Sequence, residues 1–333
     1  MLTVTQSEGD VVARVEATAQ KIDKIRSGVQ SVIFGQQAVV DLTLITLLSG
    51  GHALLIGVPG LAKTSLVEAL GKLLGLDAKR IQFTPDLMPS DITGAEVLEE
   101  SAGGGRAFRF VKGPVFTQLL MADEINRASP KTQSALLQAM QEHHVSVAGQ
   151  RYDTPTPFHV LATQNPLEQE GTYPLPEAQL DRFLLQIDVG YPDVAAERRM
   201  LFATTGAEQK QLTPVFSGPE LLAAQRLVRM LPVGDGVVDA ILRLVRAARP
   251  GGDEATARVN ELVAWGPGPR ASQALMLCCR ARALLDGRLA PSIDDVLALA
   301  EPVLKHRMAL SFAARAEGAS IRDVIADLTK TVG

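Results

Sequence analysis

The sequence predicts an α/β fold: a mostly parallel sheet flanked by helices, followed by a C-terminal all-α lid domain. Three observations point there. Up to residue 191, short apolar segments alternate with stretches of helical spacing. One of those apolar segments runs into a glycine loop that ends in Lys63-Thr64 and opens a helix. Past Tyr191-Pro192 the helical spacing continues and no strand signal competes with it.

In chain order, residues 11–30 read as a charged amphipathic helix with Val11, Val15, Ile22 and Ile25 as its stripe. A second helix covers residues 39–48, and Gly50-Gly51 ends it. Residues 52–56 form a short apolar strand; after the glycine loop, residues 63–74 form a helix with Leu66, Val67, Leu70, Leu73 and Leu74 inward. Strands are expected at 80–84, 115–122, 158–163 and 184–189, those at 115–122 and 158–163 apolar enough to be buried. Residues 129–142 are helical, and 145–151 form a hairpin turning at Gly149. In the second half, 220–230, 236–248, 272–286 and 293–299 carry helical spacing, 318–333 form a final helix, and Ser292 with Asp295 resembles a capping box. The expected division is an N-terminal helix at 1–30 that belongs to the core, an α/β core at 31–191, a connector at 192–214 and a helical lid at 215–333.

At 333 residues the chain exceeds what one hydrophobic core serves, which agrees with two domains. A net charge of −4 supplies no general attraction to polyanions, and aromatic residues at 4% leave few stacking platforms, so composition argues against a nucleic-acid partner. Residues 1–10 lack a basic flank followed by an apolar run, and the most apolar window, 42–58, is broken by Thr43, Thr46, Ser49, Gly50, Gly51 and His52. A cytoplasmic protein without membrane insertion is expected. Cys278 and Cys279 adjoin in an apolar helical pattern with no further ligand nearby, and read as buried, inert thiols.

Residues 57–64 read Gly57-Val58-Pro59-Gly60-Leu61-Ala62-Lys63-Thr64, with Ser65 following. Between a strand and a helix, such a loop cradles phosphate oxygens on backbone N–H groups and the helix N-terminus. ATP or ADP is the expected ligand, with Lys63 reaching the β- and γ-phosphates and Thr64 holding Mg2+. Ala62 stands where the usual pattern has glycine. Leu119-Leu120-Met121-Ala122-Asp123-Glu124 is an apolar strand ending in an acidic pair at the carboxyl edge of the sheet. There Asp123 would bind Mg2+ and Glu124 would polarise the attacking water.

Taken together, Gly57 to Thr64 with its alanine, Asp123-Glu124-Ile125-Asn126-Arg127-Ala128, Ala162-Thr163-Gln164-Asn165-Pro166 and Leu175-Pro176-Glu177-Ala178-Gln179-Leu180-Asp181-Arg182-Phe183 resemble the MoxR family of AAA+ ATPases. Val32-Ile33-Phe34-Gly35-Gln36 and Gly266-Pro267-Gly268-Pro269-Arg270 extend the likeness over residues 25–315. The family carries alanine at the position of Ala62. By resemblance, Ile33, Phe34 and Gly35 pack on adenine, Asn165 orients the lytic water, Arg182 is a finger supplied to a neighbouring subunit, and Arg270 couples nucleotide state to the lid, in cis or in trans. The segment 83–110, with Pro85, Pro89, Gly94 and Gly103-Gly104-Gly105, matches an insert within the second core helix that projects with the 145–151 hairpin toward a ring's pore. The resemblance implies a ring, hexameric by family expectation, working with von Willebrand factor A domain partners on the maturation of client protein complexes.

Blander readings stand beside these. Any one arginine can be a solvated surface charge, and Arg127, Arg198 and Arg199 rival Arg182 as finger. Asn165 before Pro166 can be a turn residue. His143-His144 reads as favourable charge at a helix C-terminus, since no carboxylate or third histidine accompanies it as a metal site. A nucleotide-gated binding scaffold with incidental turnover, and a DNA- or RNA-acting ATPase, are the competing functions.

Overall fold

Strand pairing organises the N-terminal half. In the computed structural model, which describes residues 8–100, 106–167, 171–206 and 210–332, the chain runs α1 (Glu8–Gln30), α2 (Gln37–Leu48), β1 (Ala53–Ile56), α3 (Lys63–Leu73) and β2 (Ala78–Gln82). Then come α4 (Pro89–Thr93), β3 (Gly94–Glu100), β4 (Arg106–Lys112), β5 (Leu119–Asp123), α5 (Pro130–Glu142), β6 (His144–Val147) and β7 (Gln150–Asp153). Finally β8 (His159–Gln164), α6 (Glu177–Leu180) and β9 (Leu185–Asp188) complete this half. The central sheet has the order β2-β5-β8-β1-β9, and each of its pairings is parallel.

Alternation of side chains gives the sheet two buried faces. Ala53, Leu55, Leu119, Met121 and Leu161 face one apolar cluster; Leu54, Leu120, Ala122, Val160 and Ala162 face the other. The second cluster is closed by Leu136, Leu137 and Met140 of α5. The first continues without a break into the C-terminal helices, through residues such as Leu221, Leu244, Leu275 and Leu299. Those helices are α8 (Gly218–Met230), α9 (Asp235–Ala247), α10 (Ala257–Leu262), α11 (Pro269–Leu285), α12 (Ile293–Leu304), α13 (Phe312–Ala316) and α14 (Ile321–Lys330), preceded by α7 (Val194–Thr205).

The structure departs from the sequence reading at three places and gives form to a fourth segment for which that reading names no elements. Residues 192–214, expected as connector, carry α7, whose Asp193 side chain accepts from the Ala196 N–H at 2.7 Å. Only Ala196 of that helix is buried, so it has no apolar stripe for periodicity to reveal. The C-terminal half is not purely helical: β10 (Val263–Trp265) and β11 (Ala309–Leu310) pair antiparallel, too briefly for a period-two pattern to register. Val115 and Phe116 are buried as expected, but they lie in the turn before β5, which begins at Leu119. Lastly, the 83–110 segment holds α4 and a β3–β4 hairpin, and Phe110 of that hairpin stacks on Tyr152 of β7 at 4.0 Å. Its glycine triplet, 103–105, lies outside the described residues. The 145–151 hairpin forms as β6–β7 and turns on Ala148 and Gly149, both with positive φ.

The Ser292–Asp295 capping box forms at the start of α12, where Asp295 is buried. Its carboxylate accepts from Ser292 N at 2.8 Å, from Arg288 at 2.7 and 2.8 Å, and lies 3.3 Å from Arg282 Nε. Burial alone would raise its pKa, but the Arg288 hydrogen bonds, the Ser292 N–H and both guanidinium charges together hold it below the ordinary carboxylate value. A depressed carboxylate contributes stability that is present above the unfolded value and is lost as pH falls through the folded one. Asp295→Asn is therefore expected to cost ~2 kcal/mol at neutral pH and to flatten the acid limb of the stability profile below about pH 4. Melting temperatures of both chains across pH 3–7 check this; coincident curves would remove the role assigned to Asp295.

Candidate active site

The neighbouring strands β1, β8 and β5 deliver three segments to one edge of the sheet. Past β1, Gly57 presses on β9's far end: a Cβ there would lie 2.6 Å from Val189 O and 2.9 Å from Val189 Cβ. The loop then turns through Gly60 (φ 83°) and Ala62 (φ 55°), and α3 starts at Lys63. Ala62 thus adopts a left-handed backbone that glycine takes without steric cost. Lys63 Nζ folds onto its own loop, donating to Gly57 O and, at 3.1 Å, to Val58 O. Burial lowers its pKa, while Asp123 and Glu124 oppose that.

On β5, Asp123 is buried and each carboxylate oxygen is engaged. Oδ1 accepts from Thr163 Oγ1 at 2.5 Å, and Oδ2 accepts from Arg80 Nη2 at 2.6 Å and Nε at 3.1 Å. Glu124 sits in a left-handed conformation (φ 54°), its N–H donating to Thr163 Oγ1 at 2.9 Å. Its Oε2 accepts from Gln82 Nε2 at 2.8 Å and from Arg127 Nη1 at 2.9 Å. Asn165, after β8, is 6% exposed, and its Oδ1 accepts from the Leu167 N–H at 3.1 Å. A single cavity of about 480 Å³ is lined by Pro59 through Ser65 together with Arg80, Gln82, Asp123, Glu124 and Asn165.

Other residues singled out in the sequence lie elsewhere. Ile33, Phe34 and Gly35 line a second cavity of about 290 Å³ with Asp193 and Arg199. Gln36 ties that segment to the glycine loop, donating to Leu61 O at 3.2 Å. Arg182 and Arg270 are apart from the 480 Å³ cavity and share a third one, of about 260 Å³, with His52, Met140, Gln141 and Asp181. There Arg182 Nη1 donates to Leu137 O at 2.7 Å, and Arg270 Nη1 lies 3.4 Å from Asp181 Oδ2. Of the rival arginines, Arg127 is bound to Glu124 of its own chain, Arg198 lies over the Phe202 ring and Arg199 borders the Phe34 cavity.

His144 has a carboxylate beside it after all, Glu142 at 3.4 Å; among the described residues, however, no group of three or more His, Cys, Asp or Glu could hold a metal ion. Cys278 is buried and its thiol pKa is pushed up to about 12 by burial, with Cys279 raised further.

Sequence reasoning missed Arg80, Gln82 and Thr163. Arg80 and Gln82 alternate onto one face of β2, and the register sets Gln82 opposite Asp123. That alternation is visible in the sequence, but the pairing of β2 with β5 is not.

Residues 52–185 match the profile of the ATPase family associated with various cellular activities (AAA), and residues 255–328 match the AAA lid domain. Chaperone MoxR1 of Mycobacterium tuberculosis is 43% identical over 304 residues, spanning 91% of this chain and 80% of its own. The chain belongs to the MoxR family of AAA+ ATPases. Protein MoxR of Paracoccus denitrificans is 34% identical over 302 residues, spanning 86% of this chain and 87% of its own. A crystal structure of a Cytophaga hutchinsonii protein assigned as an ATPase superposes with a TM-score of 0.89 at 36% identity, covering 96% of this chain and 97% of that one. MoxR proteins are chaperone-like AAA+ ATPases, and the α/β core and lid of this chain are those of that family.

The left-handed Ala62 generates a test of the loop. Ala62→Gly is expected to leave the chain as stable or up to ~1 kcal/mol more stable, because relief of the left-handed backbone outweighs glycine's entropy cost. Ala17→Gly, the same change at an exposed position inside α1, is expected to lose ~1 kcal/mol. Thermal melts of the two variants should move apart, and a shared downward shift would contradict the assigned geometry.

Proposed function

We propose that this chain is a Mg2+-dependent, ATP-hydrolysing motor that acts as a ring and remodels client protein complexes or assists their assembly. One observation carries the reading: the glycine loop, the acidic pair and Asn165 line a single cavity. Backbone N–H groups of 57–64 and the α3 N-terminus hold phosphates, and Lys63 and Ser65 contribute from the first turn. Ile33, Phe34 and Gly35 receive the adenine. The Thr64 hydroxyl and Asp123 carboxylate are the hard oxygen donors that Mg2+ takes, and when bound the ion would offset charge on the β- and γ-phosphates. Glu124 orients and deprotonates water, Asn165 fixes that water's position, and Gln82 and Arg127 hold the Glu124 carboxylate in place.

Charge developing on the transferred phosphoryl calls for a further cation. Arg182 and Arg270 border a different cavity from Lys63. Arg182 is accordingly assigned to the nucleotide of a neighbouring subunit, and Arg270 to the coupling of nucleotide state with the lid. A finger in trans makes turnover depend on assembly, and head-to-tail contacts of that kind close into rings; by analogy with the family the ring is taken as a hexamer. By analogy with MoxR relatives, the partner is a von Willebrand factor A domain protein that selects the client. The acidic composition favours protein over nucleic acid as substrate. Among the described residues no helix is long and apolar enough to cross a membrane, in keeping with work in the cytoplasm.

Glu124→Gln is expected to lower ATP turnover by ~10²-fold or more while ATP still binds; normal turnover would sink the assignment. Arg182→Ala is expected to lower turnover by ~10³-fold or more. Mixed rings of Arg182→Ala and Glu124→Gln chains should recover activity, because the second chain supplies intact fingers to the first. Absence of recovery in rings verified as mixed counts against a finger in trans. Proteins retained by the Glu124→Gln chain in ATP, identified by mass spectrometry, test the client and partner assignments; retention of nucleic acid alone would overturn both.

A further inference from the structure

Three consecutive basic residues at the end of α12, Lys305, His306 and Arg307, reach out of the lid and grip one short piece of the core. Lys305 Nζ contacts Asp188 Oδ2 at 2.7 Å, at the end of β9, and His306 Nε2 donates to Phe183 O at 3.0 Å. Arg307 is buried, 2% exposed, and every guanidinium N–H is used. Nε donates to Asp181 Oδ1 at 2.7 Å. Nη1 donates to Leu184 O at 3.1 Å and Val303 O at 2.6 Å, and Nη2 to Asp181 O at 3.3 Å and Phe183 O at 2.7 Å. Four of those five acceptors lie in residues 181–184, on both sides of Arg182.

Burying a guanidinium is costly, and apolar packing of similar volume commonly stabilises as well or better. What an arginine supplies and an apolar side chain does not is a rigid fork of five donors that fixes several acceptors relative to one another. Here the fixed acceptors are the carbonyls and carboxylate that flank Arg182. The same Asp181 carboxylate lies 3.4 Å from Arg270. One carboxylate therefore joins the buried lid arginine, the exposed lid arginine and the backbone of the candidate finger.

We propose that Arg307 is a positioning residue for Arg182. It locks the 181–184 turn to the lid so that lid position sets where the Arg182 guanidinium points. This rests on the reading of Arg182 as a finger acting in trans. A defect at Arg307 then harms the neighbour's active site and spares its own. A residue that served only to hold the fold, or that served its own nucleotide, would not show that asymmetry.

The experiment uses the full chain in assembled rings. Arg307→Met alone is expected to cut ATP turnover by ~10²-fold, the scale of an ångström-sized misplacement of a catalytic group. Binding of a fluorescent ATP analogue should stay within about threefold, since the 57–65 loop is untouched. Arg307→Lys keeps the charge without the fork, preserves folding more conservatively, and is expected to lose ~10-fold or more. Each variant is then mixed with Glu124→Gln chains, which cannot turn over but carry intact Arg182 and Arg307. Recovery of turnover in mixed rings supports the proposal. If Arg182→Ala is rescued by Glu124→Gln chains while neither Arg307 variant is, Arg307 acts on its own subunit and the proposal falls alone. If Arg182→Ala is not rescued either, the finger reading falls and takes the proposal with it. Full turnover by Arg307→Lys would likewise overturn it, because a charge without a fork would then suffice.

Discussion

The parallel pairing of β5 with β8 is the constraint on which the rest of the candidate site depends. Its register sets Leu119 opposite His159 and Ala122 opposite Ala162. Carried one residue further, it brings Asp123 beside Thr163. The Thr163 hydroxyl then donates to Asp123 and accepts from the Glu124 N–H. A slip of one residue would turn Asp123 into the sheet's other face and set Glu124 against apolar packing. Both strands are buried on both faces, so the register is held by packing on two sides at once and not by the turn sequences that follow. The site is precise because its scaffold cannot slide.

Charge at that edge is balanced locally. Asp123 and Glu124 would repel each other and any phosphate, yet neither stands alone. Arg80 engages one and Arg127 the other, with Lys63 near both. Arg80 satisfies the negative charge of Asp123 through Oδ2. Lys63, bound to the carbonyls of Gly57 and Val58, has to exchange backbone acceptors for phosphate oxygens. Binding at such an edge swaps one set of charge-assisted contacts for another and exposes no bare charge on the way.

Much of this was legible in the sequence, and the reason differs by residue. The 57–64 loop, Asp123 and Glu124 are contiguous motifs whose chemistry is tied to a strand end, so one-dimensional reading located them. Arg80 and Gln82 carry no motif, and Thr163 lies within the 162–166 motif without a role of its own there; their meaning arises only when β2 and β8 flank β5, which is a matter of strand order. α7 escaped because a helix with a single buried residue has no stripe. The β10–β11 pair escaped because three residues and two do not make a period. Arg307 is the extreme case. Nothing in Lys305-His306-Arg307 marks it from a solvated basic cluster at a helix end, and only the fold buries it against residues 181–184.

Two positions off the usual backbone map, Ala62 and Glu124, lie on the loops that bracket the cavity. Non-glycine residues in left-handed conformations persist only where surrounding contacts over-determine them. At Ala62 the support is α3, whose first turn begins at the next residue. At Glu124 it is the Thr163 hydroxyl at the N–H and Gln82 and Arg127 at the carboxylate. By contrast, Arg182 sits on a turn that joins a four-residue helix to a four-residue strand, and its guanidinium is held from outside that turn, by Leu137 O of α5. So small a unit cannot hold a long cationic side chain in one direction by local packing. The lid's buried guanidinium fixes the backbone of that turn from the other half of the chain, through Asp181, Phe183 and Leu184.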